Sequence, residues 1–137
     1  MTGEQFEVLA FSLGDNRYCV GIEHVTEIVR ANLDAVTAVP GSSPAELGVL
    51  DLRGRTTTVV DLKAALGTTG SGGQHVVILD DGEGGDRVGW LVDEVHTVFR
   101  TERADVEERP NERTIKGLVR HEDDYVLWTD PSLVGVA

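Results

Sequence analysis

The sequence predicts an all-β protein made of two related halves, and two observations lead to that prediction. Apolar and polar residues alternate in many short segments that are rich in β-branched residues and separated by turn residues. A series of residues also recurs, in order, about 70 positions further along the chain, as the pairs below show. Closely spaced short strands favour a barrel or a sandwich, and a unit of this length is too long for a solenoid repeat but suits one small β-barrel.

Eight strands are predicted, each from a run of alternating or continuous apolar residues rich in Val, Ile and Thr. In the first of them Leu9, Phe11 and Leu13 lie on one face, as in a half-buried strand. In chain order, the predicted strands span residues 6–13, 17–20, 48–52, 56–60, 74–79, 87–92, 118–121 and 125–129.

Glycine-containing turns separate several of these strands. Gly14-Asp15-Asn16 reverses the chain after the first strand, because Gly and Asn adopt positive φ at little cost. Arg53-Gly54-Arg55 separates the third strand from the fourth. The acidic segment 80–86 lacks the ligand spacing of a calcium loop, so we interpret it as a hairpin turn.

The predicted helices are few and short. Asp61 and Asp130 each stand where an N-cap residue would begin a helical turn. The helices cover about residues 22–27, 61–66 and 131–134.

An internal repeat relates the two halves of the chain. The segment Val25-x-x-Ile28-Val29-Arg30 reappears as Val95-x-x-Val98-Phe99-Arg100, an offset of 95 − 25 = 70 residues. The Gly/Ser/Thr-rich link at 67–73 separates the repeats, so we predict a single domain over 1–137 with subdomain 1 at about 6–67 and subdomain 2 at about 74–137. Other matches at an offset of 70 or 69 are Arg17 with Arg87, Glu23 with Asp93, Val36 with Val106, Gly48 with Gly117, and Asp61 with Asp130.

The charge and the cysteine content exclude several classes of protein. With 24 acidic and 12 basic residues, the net charge of −12 argues against a nucleic-acid binder and a polybasic membrane-surface protein. Cys19 is the only cysteine and lies in an apolar stretch, which fits a small buried hydrophobe in a reducing compartment. The longest apolar runs have four residues, so we expect neither a membrane helix nor a signal peptide.

Lysine is scarce in this acidic chain, since Lys63 and Lys116 are the only lysines among 12 basic residues. An acid excess with little lysine predicts a surface adapted to high salt, in which a hydrated carboxylate layer is screened, and a halophilic archaeal source. An ordinary acidic protein from a GC-rich genome is the alternative that the composition leaves open.

No catalytic or metal-binding pattern is present in the sequence. The four histidines, His24, His75, His96 and His121, are far apart and lack metal-ligand spacing. The sequence has no GxSxG motif, and the link at 67–73 lacks the GK[ST] of a phosphate-binding loop. We therefore expect no catalysis, no metal and no cofactor. Two small barrels packed about a pseudo-dyad leave a groove between them, which favours binding of other protein surfaces.

Several segments occur in the order that is typical of one known family. The most specific block is Gly48-Val49-Leu50-Asp51-Leu52-Arg53-Gly54, and the chain resembles the CheW family of chemotaxis coupling proteins from about residue 5 to residue 135. The resemblance implies two intertwined five-stranded SH3-like barrels with a few short helices. The supporting segments are 6–13, 25–29, 39–40, 59–62, 88–95 and 117–119.

The resemblance also implies a partner-binding site. Arg53 matches the family's signature arginine, and Gly48 matches the glycine that opens its motif. Val25, Glu27 and Ile28 match the segment beside the receptor-binding groove, and Val95 and Val98 are their repeat equivalents. From physical chemistry alone, Arg53 is either a solubilising turn residue or a guanidinium presented to a partner's carboxylate or carbonyl. The chain departs from the family pattern at Asp51 and at residues 56–58, where threonines make one face of the strand more polar.

The expected function is that of a non-catalytic adaptor in two-component signalling. The resemblance implies that it couples the cytoplasmic hairpin tips of chemoreceptors to the regulatory domain of the histidine kinase CheA. This implies a cytoplasmic location at receptor arrays on the inner face of the membrane, without membrane insertion or nucleic-acid binding. The alternatives are a detached CheA regulatory-type or CheV-like coupling module and, from another class, a small β-barrel enzyme.

Overall fold

The structure is a computed structural model that describes residues 5–41, 43–70, 72–79, 87–108 and 115–131. Within these residues the chain forms strands, one α-helix and three 3₁₀ helices. The helices are α1 (Leu62–Leu66) and 3₁₀ turns at Ile22–His24, Leu33–Ala35 and Arg103–Asp105. The strands are β1 (Gln5–Leu13), β2 (Asn16–Gly21), β3 (Val25–Arg30), β4 (Glu46–Leu52), β5 (Arg55–Asp61), β6 (His75–Leu79), β7 (Arg87–Val92), β8 (Glu94–Glu102), β9 (Val106–Glu108), β10 (Ile115–His121) and β11 (Asp124–Thr129).

The strands form two sheets, and each sheet takes strands from both sequence repeats. The first sheet has the order β8-β1-β2-β11-β10-β9 and the second has the order β3-β6-β7-β5-β4. All neighbours are antiparallel except β2–β11 and β5–β7, which are parallel. The all-β, intertwined fold is therefore confirmed. The link at 67–73 separates the repeats in sequence, but β1 and β2 pair with strands from the second repeat, and β6 and β7 with strands from the first.

The two sheets share one topology, which confirms the internal repeat. Val59 pairs with Gly89 in the second sheet, and Trp128 pairs with Cys19 in the first, at offsets of 128 − 59 = 69 and 89 − 19 = 70. In the described residues, the sheets differ in β9, which makes the first sheet six-stranded. Its counterpart in the second sheet is a single bridge between Thr37 and Val49.

Among the described residues, the hydrophobic core has three parts. The largest lies between the sheets, because it combines residues such as Phe11 of β1 and Trp90 of β7, whose ring centroids are 6.2 Å apart. Each sheet also covers a smaller cluster of its own. The first sheet buries Val8, Cys19, Val119, Val126 and Trp128, and the second buries Val76, Ile78 and Leu91.

Three strands depart from the predictions. β3, β8 and β9 were not predicted, and the helix expected over 22–27 is only the 3₁₀ turn Ile22–His24, after which the chain is extended. The cause is that Val25, Ile28 and Val29 have helix-like spacing, while pairing of Val25–Arg30 with His75–Leu79 makes the segment a strand.

The short helix near residue 62 is confirmed, with its cap. Asp61 caps α1 by accepting a hydrogen bond from the Lys63 backbone N–H at 3.1 Å. Its other carboxylate oxygen accepts from the Gly72 N–H at 3.0 Å, which ties the link between the repeats to the start of α1. The hairpin turn predicted at 80–86 and most of the helix predicted at 131–134 lie outside the described residues.

Candidate partner-binding site

The site is built on the tight hairpin between β4 and β5. Arg53 and Gly54 occupy its two turn positions with φ values of 54° and 81°, so both are left-handed, as a two-residue hairpin matching the sheet twist requires. The Arg53 side chain is 68% exposed. The hairpin therefore presents a guanidinium at its tip, as the sequence predicts.

Glu27 of β3 reaches this hairpin from the opposite edge of the second sheet. Alternation along β3 turns Glu27 inward with Val25 and Val29, and its side chain is 23% exposed. Arg53 Nη1 donates to both carboxylate oxygens of Glu27. The structure thus brings together two of the predicted site residues.

Arg87 is a third charged residue at this site, and no pattern in the sequence predicts it there. Its side chain is 6% exposed, and its Nη1 lies 3.6 Å from Glu27 Oε1. Its Nη2 donates to the carbonyl of Leu52 at 2.8 Å, directly before Arg53. The available signal was the match of Arg87 with Arg17 in the repeat, although nothing in the sequence places Arg87 beside Glu27.

Gly48 supports the site through close backbone packing. Its φ is 146°, and a Cβ atom on it would lie 2.1 Å from the carbonyl oxygen of Thr37. Thr37 is the residue that bridges to Val49. The glycine therefore allows the segment around Thr37 to pair with β4, and it has no side chain to offer a partner.

The four apolar site residues fall on two different sheet edges. Val25 and Ile28 lie on β3, whereas Val95 and Val98 lie on β8 at the equivalent edge of the first sheet. Val25 and Val95 pack against the main core, while Ile28 and Val98 are each 41% exposed. Val25 and Ile28 share their strand with Glu27, and the two β8 residues belong to the other sheet.

The second hairpin of the repeat lacks the same charges. At an offset of 69 or 70, Arg53 corresponds to Glu122, Glu27 to Thr97 and Arg87 to Arg17. The β10–β11 turn keeps the left-handed backbone, with φ values of 50° and 67° at Glu122 and Asp123. The two hairpins thus share a backbone but carry opposite charges at their tips.

The described part of the chain offers few other reactive or metal-binding groups. No group of three or more His, Cys, Asp or Glu residues there is placed to hold a metal ion. Cys19 is buried, and burial raises the pKa of its thiol to about 12, so it is protonated at neutral pH. None of the helices described is long and apolar enough to cross a membrane.

The comparisons with known proteins agree with this architecture. A family model described as "CheW-like domain" matches residues 7–135. The chain is 30% identical to "Chemotaxis protein CheW" of Bacillus subtilis, over 97% of this chain and 87% of that protein. It is 33% identical to the protein of the same name from Rhizobium meliloti, over 77% of this chain and 67% of that protein.

One further relative and one solved structure are also similar to this chain. The chain is 39% identical to "Probable chemotaxis protein CheW" of Rhizobium etli over 53% of this chain, and that match spans about half, 47%, of the relative. The crystal structure of scaffolding protein TtCheW from Thermoanaerobacter tengcongensis has a similar fold, with a TM-score of 0.81 at 24% identity over 92% of this chain and 89% of that one.

Proposed function

Since this chain belongs to the family of CheW-like domains and is a chemotaxis adaptor, we propose that it couples chemoreceptors to the histidine kinase CheA by binding both. The proposed partners are the regulatory domain of CheA and the cytoplasmic hairpin tips of the receptors. The proposed location is the cytoplasmic face of the membrane, within receptor arrays.

The observation that supports this proposal best is the charged hairpin site. An exposed guanidinium at a rigid two-residue turn is available to a partner's carboxylate, to which it donates two parallel hydrogen bonds. Glu27 turns inward and pairs with Arg53, while Ile28 is exposed on the outward face of the same edge strand, so polar and apolar groups lie next to each other along β3. Residues Val25, Glu27, Ile28 and Arg53 are therefore proposed as one contact surface, with Gly48 as its backbone support.

Val95 and Val98 are proposed as a second contact surface. They lie on the edge strand of the first sheet, equivalent to β3 in the second. An adaptor needs at least two surfaces, because it must hold two partners at once. The repeated fold supplies two equivalent edges with different side chains, which suits two different partners.

An adaptor of this kind works without catalysis. It changes kinase activity only if it binds the active and inactive states with different affinity, or if it fixes the geometry of the assembly. We propose that this chain acts in that way, through contact alone.

The test is co-purification from the cells that make the protein. The tagged chain is captured with its bound proteins, and the eluate is probed for CheA and for chemoreceptors. We expect both. Arg53→Ala is expected to recover less of at least one partner, whereas Arg120→Ala, which removes an exposed arginine from β10, serves as the matched control. Capture of neither protein by the unaltered chain would contradict the proposed coupling.

A further inference from the structure

We propose that Arg87 is the fixed cation of the hairpin site, which holds Glu27 in place when Arg53 leaves that carboxylate for a carboxylate on the partner. The inference rests on the proposed function, because it assumes that Arg53 contacts a partner. It adds a positioning residue and a chemical class of contact, an acidic side chain on the partner surface.

The two arginines that face Glu27 differ in burial. The Arg87 side chain is 6% exposed and the Arg53 side chain is 68% exposed. Water can solvate Arg53 if it leaves Glu27, but it cannot reach Arg87 in the same way. A buried charge that loses its counter-ion is strongly unfavourable, whereas an exposed ion pair exchanges with little penalty. Arg87 therefore requires Glu27 as its counter-ion, whereas Arg53 can exchange Glu27 for water or for another carboxylate.

Arg87 also holds the backbone that carries Arg53. Its Nη2 donates to the Leu52 carbonyl, so one guanidinium contacts both the strand end before the turn and the carboxylate on β3. Among the described residues, its buried Nε has no hydrogen-bond partner. The contacts of the Arg87 guanidinium with the hairpin and with Glu27 are thus made by its two Nη atoms. Through these contacts it sets the distance between β3 and the turn.

This arrangement allows Arg53 to leave Glu27. When a partner's carboxylate approaches the hairpin tip, Arg53 exchanges one carboxylate for another, and Glu27 keeps a cation at 3.6 Å. Without Arg87, Glu27 still has Arg53 as an ion-pair partner. Arg53 then stays paired with Glu27 more often, and its contribution to binding is reduced.

The test measures affinity for the purified regulatory domain of CheA and for a receptor hairpin fragment, by calorimetry, beside thermal melts. Arg87→Met is expected to weaken binding about tenfold, because Arg53 remains on Glu27. Adding Glu27→Gln to that variant frees Arg53 and keeps the size of the Glu27 side chain, so the double variant is expected to bind as tightly as Glu27→Gln alone and more tightly than Arg87→Met. Arg17→Met, at the equivalent position of the other repeat and exposed, is expected to bind within about twofold of the unaltered chain.

Recovery of affinity in the double variant distinguishes a positioning role of Arg87 from a role in stability alone. A residue that only stabilises the fold would not be compensated by the removal of Glu27, because that substitution forms no new contact. A double variant that folds but binds no more tightly than Arg87→Met overturns the inference. So does an unchanged affinity of Arg87→Met.

Two further measurements cover the case in which Arg87→Met does not fold. Arg87→Lys keeps the buried positive charge but not the fork that joins Glu27 to the Leu52 carbonyl, so it is expected to bind more tightly than Arg87→Met and less tightly than the unaltered chain. In the unaltered chain, saturation with the partner is expected to shift the NMR signal of the Arg53 Nε–H group and to leave that of Arg87 in place. A shift at Arg87 with none at Arg53 overturns the inference.

Failure of the proposed function gives a different result. If Arg53→Ala binds both partners as the unaltered chain does, Arg53 is not a contact residue, and both proposals fail at this site. If Arg53→Ala weakens binding while Arg87→Met does not, the contact stands and only the role of Arg87 is overturned.

Discussion

At position 53 the backbone conformation favours glycine, but the residue present is arginine. The turn requires left-handed φ at Arg53, which a residue with a Cβ adopts at a penalty of about 1 kcal/mol, and glycine would avoid that penalty. An arginine there is therefore not explained by the turn itself. Its guanidinium is exposed and contacts Glu27, which is consistent with a role in contact rather than in folding.

The first prediction concerns Arg53→Ala. Its exposed ion pair with Glu27 contributes less than about 1 kcal/mol, and alanine keeps the same Cβ in the same left-handed conformation. We expect the melting temperature to change little, whereas affinity for the partner that contacts this hairpin falls about thirtyfold or more. Arg53→Lys should recover only part of the affinity, because an ammonium cannot form two parallel hydrogen bonds. A large loss of stability would instead assign this arginine to the fold.

The second prediction compares two glycines of the same hairpin. Gly48→Ala places a Cβ 2.1 Å from the Thr37 carbonyl oxygen, so β4 and the segment at Thr37 must separate. Gly54→Ala meets open space and bears only the strain of its φ of 81°. In denaturant titrations we expect Gly48→Ala to lose about 2–4 kcal/mol of stability and Gly54→Ala about 1 kcal/mol. Equal losses would show that the close approach at Thr37 is not required.

At the scale of elements, Asp93 joins parts of both sheets at the corner between β7 and β8. Its carboxylate pairs with Lys63 Nζ of α1 at 2.8 Å and accepts from the Gly14 N–H of the β1–β2 turn at 2.6 Å. Its backbone N–H donates to the Ser12 carbonyl at 3.1 Å. Burial raises the pKa of Asp93, but the Lys63 and Gly14 hydrogen bonds and the Lys63 charge outweigh it, so the pKa is lowered.

The third prediction follows from the sign of that shift. A carboxyl whose pKa is lower in the folded chain stabilises the fold above its unfolded pKa, 3.8, and this stabilisation is lost as pH falls through the folded pKa. We expect Asp93→Asn to reduce stability by about 1–2 kcal/mol at pH 7, since Lys63 loses its partner. The difference from the unaltered chain should shrink below pH 4. Asp51→Asn, at an exposed position of β4, is the control and should change stability little at pH 7.

At the scale of the whole molecule, the acidic charge lies on the surface. Asp61 is the only buried acidic residue in the described part of the chain, and both of its oxygens accept backbone hydrogen bonds. Both lysines pair with carboxylates, Lys63 with Asp93 and Lys116 with Asp130 at 3.5 Å. The net charge of −12 is therefore carried largely by exposed carboxylates, whose mutual repulsion acts on the folded state.

The fourth prediction is that stability rises with salt. Screening reduces the repulsion among the exposed carboxylates, because the Debye length falls from about 30 Å at 0.01 M to about 3 Å at 1 M. The melting temperature should increase from low salt to molar KCl. Replacing several exposed acids by their amides should weaken this dependence. A flat or falling curve in both chloride and sulfate would contradict adaptation of this surface to high salt.

The sequence by itself determined the all-β class, the repeat and most strand positions, because alternation, β-branched residues and turn glycines act locally. It also determined Arg53 at the tip of a hairpin and Asp61 as a helix cap. Only the tertiary structure decided that β3 is a strand, since Val25–Arg30 becomes extended by pairing with β6, which lies far along the chain. The tertiary structure likewise placed Arg87 beside Glu27, because strand exchange between the repeats brings β7 next to β5, and no local pattern encodes that contact.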